Sequence, residues 1–372
     1  MIYLDSAATT FQKPPAVHQA VQTAMRTLSS PGRGGYEPAR RAEETAFRCR
    51  TLAAELFHVP SPEQVVFTSN ATHGLNIAIK SLVPPGGRAV ISGYEHNAVT
   101  RPLHALDAKV RIASSPLFDR SAALRAFENM ISPNTDAVIC THVSNVFGFI
   151  LPIEEIAALC RAEDVPLIVD ASQSAGVLPL NFQALGAAFA AMPGHKGLYG
   201  PQGTGLLLCA RDAVPLMEGG TGSASLTQEM PDFLPDRLEA GTHNMPGIAG
   251  LEQGMRFVRQ KGGRIGRYEH TLITRVSERL RDMEGVTVYA AQDASAQAGV
   301  LSFTVDGMEP EEVTDALARR GIALRAGLHC APCAHQTAGT LPIGTVRLSV
   351  SAFNGTGDID GFLLALRGIL RR

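Results

Sequence analysis

Leu167-Ile168-Val169-Asp170 decides the fold, because it is a short run of apolar residues that ends in a carboxylate. Uninterrupted apolarity of this length is typical of a strand buried on both faces of a parallel sheet. Similar runs lie on both sides of it between Glu63 and Ala210. They are Val65-Val66-Phe67, Ala89-Val90-Ile91, Ala137-Val138-Ile139, Ala188-Phe189-Ala190 and Gly205-Leu206-Leu207-Leu208.

Helical patterns separate these runs. Leu75, Ala78, Ile79 and Leu82 recur at the spacing of one helix face, and a second set begins at Ile153. Because strands alternate with helices, the sequence predicts an α/β fold with a mainly parallel, doubly wound sheet.

The pattern changes after Gly241. Two long helical stretches, 250–260 and 268–282, precede shorter strands at 299–303 and 346–349 and helices near 309–320 and 358–370. This order predicts a smaller α+β domain. We therefore expect a large cofactor-binding domain at 14–245 and a small domain made of 1–13 and 246–372.

Composition limits the classes of partner. The 33 Lys and Arg residues nearly balance the 35 Asp and Glu residues, so nothing indicates nucleic acid or an anionic membrane. No apolar run reaches the length of a membrane span, and Met1-Ile2-Tyr3-Leu4-Asp5 does not resemble a signal peptide. Six cysteines in a chain of 372 residues do not form a disulfide framework. We expect a cytoplasmic protein with free thiols and a small substrate.

Polar residues follow the predicted strands, at the sheet edge where ligands of such folds bind. The segments concerned are Thr68 to Gly74, Glu95-His96, His142 to Asn145, Asp170 to Gln173 and Gly194-His195-Lys196. A primary amine that forms a Schiff base with pyridoxal phosphate needs an acid at the ring nitrogen, and Lys196 and Asp170 are of the right types. Taken alone, Lys196 also fits a solvated loop lysine, and Ser69 or Asn70 an ordinary helix cap.

Considered together, these segments resemble the cysteine desulfurases of the class V aminotransferase group, which are fold-type I pyridoxal phosphate enzymes. The chain is most similar to the branch with a short loop around the reactive cysteine. The segments that carry the resemblance extend over almost the whole chain. They are Tyr3 to Ala8, Glu95 to Ala98, His142 to Gly148, Val169 to Gln173, Gly194 to Lys196, Glu239 to Thr242, Arg325 to Cys330 and Arg347 to Ser349.

The resemblance implies a role for each site residue. Lys196 is the Schiff-base lysine, and Asp170 partners the ring nitrogen. Gln173 hydrogen-bonds the ring hydroxyl, and Asn145 lies near that hydroxyl and binds the substrate. His96 stacks on the ring and moves protons. The phosphate contacts are Ala71, Thr72 and His195, with Thr242 arriving from a neighbouring subunit of a homodimer. Arg347 binds the substrate carboxylate through its planar fork, although an ion pair at a strand edge is the alternative reading.

Two positions depart from the family pattern. Pro193 replaces a serine that usually donates to the phosphate, and proline has neither a hydroxyl nor an N–H to offer. His243 follows the threonine where a proline is common.

Cys330 is the candidate nucleophile, because attack on the substrate sulfur needs a thiolate. The family carries its persulfide on the cysteine at this position, and the neighbouring Arg325 and His329 are expected to favour the anion. The spacing of His329, Cys330, Cys333 and His335 also fits a zinc site, but no second cysteine–histidine cluster completes one, so we expect no metal. Cys333 is either a bystander or a resolving thiol.

The implied reaction converts L-cysteine to L-alanine and passes sulfur from Cys330 to an acceptor protein, for uses such as iron–sulfur cluster assembly. L-selenocysteine is an open alternative substrate. Other readings are an aminotransferase or lyase on the same scaffold, and a non-catalytic sulfur carrier or cofactor-binding protein. The glycines of Gly200 to Gly205 do not indicate a dinucleotide site, because they precede a strand rather than joining a strand to a helix.

Overall fold

The computed structural model describes residues 1–32 and 34–371; Arg372, where the predicted small domain ends, lies outside them. In chain order, the helices and strands of the first part are β1 (Ile2–Tyr3), α1 (Pro15–Thr27), α2 (Glu37–Phe57), β2 (Val65–Thr68), α3 (Ala71–Leu82), β3 (Arg88–Ser92), α4 (Asn97–Ala105), β4 (Lys109–Ala113), α5 (Arg120–Glu128), β5 (Ala137–Thr141), α6 (Ile153–Ala162), β6 (Leu167–Asp170), α7 (Phe182–Leu185), β7 (Phe189–Pro193) and β8 (Gly205–Cys209). The rest are α8 (Met245–Lys261), α9 (Arg264–Arg281), β9 (Val286–Tyr289), β10 (Val300–Val305), α10 (Pro310–Ala318), β11 (Ile322–Ala323), β12 (Arg325–Gly327), α11 (Pro332–Ala338), β13 (Thr345–Ser349) and α12 (Thr356–Leu370).

The central sheet has seven strands in the order β2-β8-β7-β6-β5-β3-β4. Strand β8 runs antiparallel to both of its neighbours, and the other pairs are parallel. The prediction of a mainly parallel α/β fold is therefore confirmed.

Both faces of this sheet are covered, which explains the uninterrupted apolar runs. Val138 and Val169 pack into the core on one face with helices α2, α5 and α6. Ile139 and Ile168, their immediate neighbours in sequence, pack on the other face with α3 and α4. Because side chains alternate across a strand, every residue of β5 and β6 has to be buried.

A second, antiparallel sheet of order β12-β13-β10-β9 lies in the C-terminal part. Its core combines Phe303 and Leu348 with apolar residues of α9, α10 and α12. The N-terminus joins this part, because β1 pairs in parallel with β11 and Leu4 lies in the same core. Helix α8 packs the other way, with Leu251 and Met255 in the core beneath the large sheet.

The sequence interpretation missed α1, α2 and β4. Helix α2 buries mostly small residues, such as Ala39, Ala42 and Ala53, so its apolar face has little contrast in the sequence. Strand β4 lies at the sheet edge, where only Ala113 is buried and charged residues alternate with apolar ones. The predicted domain boundary at 245/246 stays a prediction. Among the described residues, no helix is both long and apolar enough to cross a membrane.

Candidate functional site

A cavity of about 90 Å³ lies at the carboxyl edge of the central sheet. Strands β5, β6 and β7 deliver residues to it, as do the first turns of α3 and α4, so the fold brings together most of the residues predicted from sequence. The lining residues are Asn70, Ala71, Thr72, His96, Ala98, Thr141, Val143, Asn145, Asp170, Ser172, Gln173, Pro193, His195 and Lys196.

Lys196 and Asp170 both line this cavity, and their charges are opposite. Burial lowers the pKa of Lys196 to about 8, and the Asp170 carboxylate opposes that shift. Asp170 ends β6, and its Oδ1 accepts a hydrogen bond from the Ser172 backbone N–H (2.9 Å). The remaining carboxylate oxygen is available to a ligand. An amine and an acid of this kind form the pair that the sequence predicted.

His96 is held in one orientation by the start of α4. Its Nδ1 accepts a hydrogen bond from the Ala98 backbone N–H (2.9 Å), which assigns the ring proton to Nε2. Burial lowers the pKa of His96, so the imidazole is neutral near pH 7. A neutral ring with a fixed tautomer lines the cavity.

The cavity lining also provides donors for an anion. Ala71 and Thr72 form the first turn of α3, where backbone N–H groups point out of the helix and favour negative charge. Burial, with a contribution from Lys196, lowers the pKa of His195 to about 4, and its Nδ1 has no partner among the described residues. Pro193 also lines the cavity and adds no donor.

Asn145 and Gln173 are tied to other segments. The Asn145 side-chain amide donates to the His329 carbonyl (2.8 Å), so Asn145 connects the cavity to the Cys330 loop. The Gln173 amide donates to the Ala7 carbonyl (3.0 Å), which leaves its side-chain oxygen as the free polar atom. Both residues line the cavity as predicted.

Arg347 is buried on β13 and already has an acidic partner. Its Nη2 donates to Asp5 (2.9 Å) and its Nη1 donates to the Asn145 carbonyl (3.0 Å). Its Nε has no partner among the described residues. Arg347 therefore makes the ion pair that the sequence left open, and it is not among the residues lining the cavity.

Cys330 is exposed and lies outside the cavity lining, on a loop packed against the site. Its carbonyl accepts a hydrogen bond from the Asn97 backbone N–H (2.7 Å), one residue after His96. Cys330 and His329 both have positive φ, 56° and 50°, which turns the chain sharply between β12 and α11. The loop thus holds the Cys330 backbone beside the residues that line the site.

One sequence expectation for this loop is wrong, and the zinc alternative is not supported. Burial lowers the pKa of His329 to about 2, so its neutral ring adds no positive charge beside Cys330. The zinc reading fails, since no group of three or more metal-binding side chains converges within 1–32 and 34–371. His329 is directed to the Thr345 carbonyl (3.1 Å) and His335 to the Thr340 hydroxyl (2.7 Å) instead.

Thr242 lies apart from this cavity. It is exposed and lines two other depressions, of about 240 Å³ and 590 Å³, together with His243. Within one chain it does not meet Lys196. Its predicted role in a neighbouring subunit stays a prediction.

Sequence reasoning missed two acids. Asp5 accepts hydrogen bonds from both Arg347 and Arg325, and the signal for it was a carboxylate two residues after the short strand β1. Glu95 is fully buried beneath the cavity and accepts a hydrogen bond from the Thr141 N–H (2.8 Å). Burial raises the pKa of Glu95 to about 8, so it is largely protonated near pH 7. No local pattern distinguished it from a surface glutamate.

Pyridoxal phosphate fits the donor set. An amine, a carboxylate and a neutral imidazole line the cavity, together with the start of α3 and a His195 nitrogen that has no partner among the described residues. The matching family model, described as Aminotransferase class-V, covers residues 2–362. The chain belongs to this family. The class V aminotransferases and the cysteine desulfurases among them depend on pyridoxal phosphate, as the sequence predicted.

Individual relatives are similar over nearly the whole chain. A probable cysteine desulfurase of Mycolicibacterium paratuberculosis is 33% identical over 99% of this chain and 55% of its own length. One from Methanothermobacter thermautotrophicus is 31% identical over 96% of this chain and 92% of its own length. The chain spans only 55 to 62% of the length of two mycobacterial relatives that it matches.

A solved structure has the same fold. The apo cysteine desulfurase of Thermococcus onnurineus NA1 superposes with a TM-score of 0.90 and 30% identity, covering 100% of this chain and 94% of that one. The resemblance to cysteine desulfurases and to fold-type I enzymes is confirmed. The short-loop branch stays a prediction.

Proposed function

We propose that the protein converts L-cysteine to L-alanine with pyridoxal phosphate as cofactor and leaves a persulfide on Cys330. The observation that carries this proposal is the hydrogen-bonded attachment of a cysteine-bearing loop to the Lys196–Asp170 cavity. Asn97 binds the Cys330 carbonyl and Asn145 binds the His329 carbonyl. An aminotransferase does not need a thiol at this place.

Pyridoxal phosphate, when bound, supplies an electron-withdrawing ring that stabilises negative charge on the substrate α-carbon. Lys196 is the base in this proposal. Its lowered pKa, about 8, keeps part of the amine neutral near pH 7, so Nζ is able to accept the α-proton. Asp170 is the anionic partner that holds a proton on the facing ring nitrogen.

Arg347 is the proposed anchor for the substrate carboxylate. Asp5 and the Asn145 carbonyl fix two of its nitrogens, which orients the planar guanidinium before the substrate arrives. Its Nε keeps an unused N–H. A charge-assisted hydrogen bond to this group orients the amino acid.

The Cys330 thiolate then attacks the substrate sulfur. A bond forms between Sγ and that sulfur, the bond from sulfur to the substrate β-carbon breaks, and its electron pair remains on the carbon, which is protonated. The sum is L-cysteine plus the Cys330 thiol giving L-alanine plus the Cys330 persulfide. Arg325, which is paired with Asp5, is the cationic side chain nearest in sequence.

The exposed positions of Cys330 and Thr242 support two proposed partners, a sulfur-acceptor protein and a second copy of this chain. Cys330 is exposed, as delivery to a sulfur-acceptor protein requires. We propose a homodimer in which Thr242 reaches the phosphate of the partner's site, supported by its exposed position beside a large depression. Free cysteines throughout the described residues support a reducing cytoplasm.

The deciding experiment incubates the purified protein, reconstituted with pyridoxal phosphate, with L-cysteine and measures L-alanine and protein persulfide. We expect both in equal amounts during the first turnover, and neither with Cys330→Ala. Formation of a keto acid instead of alanine would identify an aminotransferase. A carrier without catalysis would yield no alanine, and faster turnover of L-selenocysteine would identify a selenocysteine lyase.

A further inference from the structure

Cys330 and Cys333 form a pair unlike the other cysteines of the chain. They are separated by Ala331-Pro332, whereas Cys49, Cys140, Cys160 and Cys209 are scattered and buried. Cys330 is exposed and Cys333 is half-buried. Two cysteines at this spacing, one accessible and one shielded, are typical of a dithiol that closes to a disulfide.

The backbone between the two residues is bent. Cys330 has a positive φ, the Ala331 N–H donates to the Leu328 carbonyl (2.8 Å), and α11 begins at Pro332. Three peptide units in a turn bring Cα atoms far closer than the roughly 10 Å of an extended chain. The separation that a disulfide needs is about 4.4 to 6.8 Å, which such a bend permits.

Both cysteines also pack against one segment, the turn between β3 and α4. The Asn97 N–H holds the Cys330 carbonyl at 2.7 Å, and the Cys333 thiol contacts the Ser92 carbonyl at 3.9 Å. Both cysteines therefore contact the same short segment, and Cys330 has the exposed side chain.

The surroundings of Cys333 make it a slow nucleophile. Burial raises its pKa to about 11, and the neighbouring Glu95 carboxyl acts in the same direction. Tyr94, on the same turn, has its own pKa raised by burial to about 12. Near pH 7 the Cys333 thiol is protonated, so it does not compete with Cys330 for the substrate. It reacts only with a persulfide that stays on Cys330 long enough for this slow attack.

We propose that Cys333 is a resolving thiol, which discharges a stranded persulfide on Cys330 as hydrogen sulfide and leaves a Cys330–Cys333 disulfide. Cys333 Sγ attacks Cys330 Sγ, the bond between the two sulfurs of the persulfide breaks, and the terminal sulfur departs as hydrosulfide and takes up the proton. The terminal sulfur is reduced and the two cysteines are oxidised, so no outside oxidant is needed. A dithiol reductant restores the enzyme.

This step rests on the proposed desulfurase function. It describes how persulfide sulfur is released when no acceptor protein removes it. The disulfide stops further turnover, because Cys330 is then no longer a thiol. Without an acceptor, the protein releases one sulfide and becomes inactive until it is reduced.

The test follows one tryptic peptide, Ala326 to Arg347, which contains both cysteines and no others. Holoenzyme is mixed with one equivalent of L-cysteine, which the first turnover consumes, without acceptor or added reductant. It is then quenched with iodoacetamide at intervals and digested. In the wild type we expect the persulfide peptide to be replaced by the disulfide peptide. The disulfide peptide is not alkylated and has two hydrogens fewer than the dithiol peptide. One hydrogen sulfide should be released for each disulfide formed. In Cys333→Ser the persulfide should last at least about tenfold longer, since the intramolecular thiol is lost.

Cys160→Ala, which removes a buried thiol from α6, is the matched control and should behave as the wild type. First-turnover alanine should be unchanged in both variants. Equal persulfide lifetimes in the wild type and Cys333→Ser would overturn the proposal. Transfer of the persulfide to Cys333, seen in the fragment spectrum, would overturn it too, because the outer sulfur would then be the one attacked.

A second arm separates this proposal from the proposed function. The protein is treated with the thiol oxidant diamide instead of L-cysteine, so no desulfuration takes place. We expect the same disulfide within the peptide in the wild type but not in Cys333→Ser. If no alanine forms from L-cysteine but diamide produces the disulfide, the proposed function and the release of sulfide are both wrong. The pairing of Cys330 with Cys333 is then still supported. Disulfides only between chains would overturn the pairing itself.

Discussion

Lys196 and Cys330 have separable tasks, and two substitutions distinguish them. Lys196→Ala removes the amine that holds the cofactor, so we expect loss of the visible absorbance of bound pyridoxal phosphate and of all alanine formation. Cys330→Ala leaves the cavity residues in place and should keep the absorbance while losing alanine formation. Absorbance spectra and amino acid analysis check this. Desulfuration retained by Cys330→Ala would transfer the nucleophile's role to another thiol.

The buried Lys196 amine should also make stability depend on pH. Its pKa is about 8 in the folded cofactor-free protein against an ordinary value of 10.5, so between these pH values the unfolded chain binds more protons. Stability of the cofactor-free protein therefore rises with pH through this window, and the penalty is fully present below pH 8.

Lys196→Met is the variant that isolates this effect. We expect it to be more stable than the wild type below pH 8 by about 2 kcal/mol, after allowance for residual solvent, and the difference should vanish above pH 10.5. Urea unfolding at several pH values measures it. A difference independent of pH would show that Lys196 is not desolvated.

At the scale of elements, the segment that carries Thr242 depends on one buried ion pair. Arg50 of α2 binds Glu239 through two hydrogen bonds of 2.7 and 2.6 Å, and Glu239 also accepts the Phe67 N–H of β2. The pair joins a helix, a strand and the 239–243 segment. Removing one partner leaves a buried charge without compensation.

Glu239→Gln should accordingly lower the free energy of unfolding by about 3 kcal/mol. The control is Glu37→Gln, whose exposed pairs with Arg40 and Arg41 are screened by solvent and should leave the free energy of unfolding almost unchanged. Urea unfolding of both variants makes the comparison. Equal small losses would mean that the Arg50 pair does not hold this segment.

At the scale of the whole molecule, the proposed homodimer predicts complementation between two defective subunits. Thr242→Val loses a phosphate contact in the partner's site, and Lys196→Ala loses the amine in its own. Mixed after dissociation, half of the dimers are hybrids with one intact site, so about a quarter of wild-type activity should return. Sedimentation establishes the oligomeric state, and a fully active monomer would contradict the prediction.

Sequence patterns were informative where structure is local. The apolar run before Asp170 and the turn before Lys196 each identified a strand and the polar residue after it, and parallel strands then bring such residues to one edge. Helix α2 was missed because its buried face consists of small residues. The neutral state of His329 was missed because burial, not its neighbours in sequence, sets its pKa.

The sequence by itself determined the α/β fold and the family and supplied the proposed amine, acid and thiol, because these depend on residue type, periodicity and order. Only the tertiary structure decided that Arg347 pairs with Asp5, that Thr242 lies outside its own chain's cavity, and that Cys330 is exposed while Cys333 is shielded. Asp5 and Arg347 are 342 positions apart and meet because β1 joins the C-terminal domain. Contacts over such separations, and the burial that sets a pKa, exist only once the chain has folded.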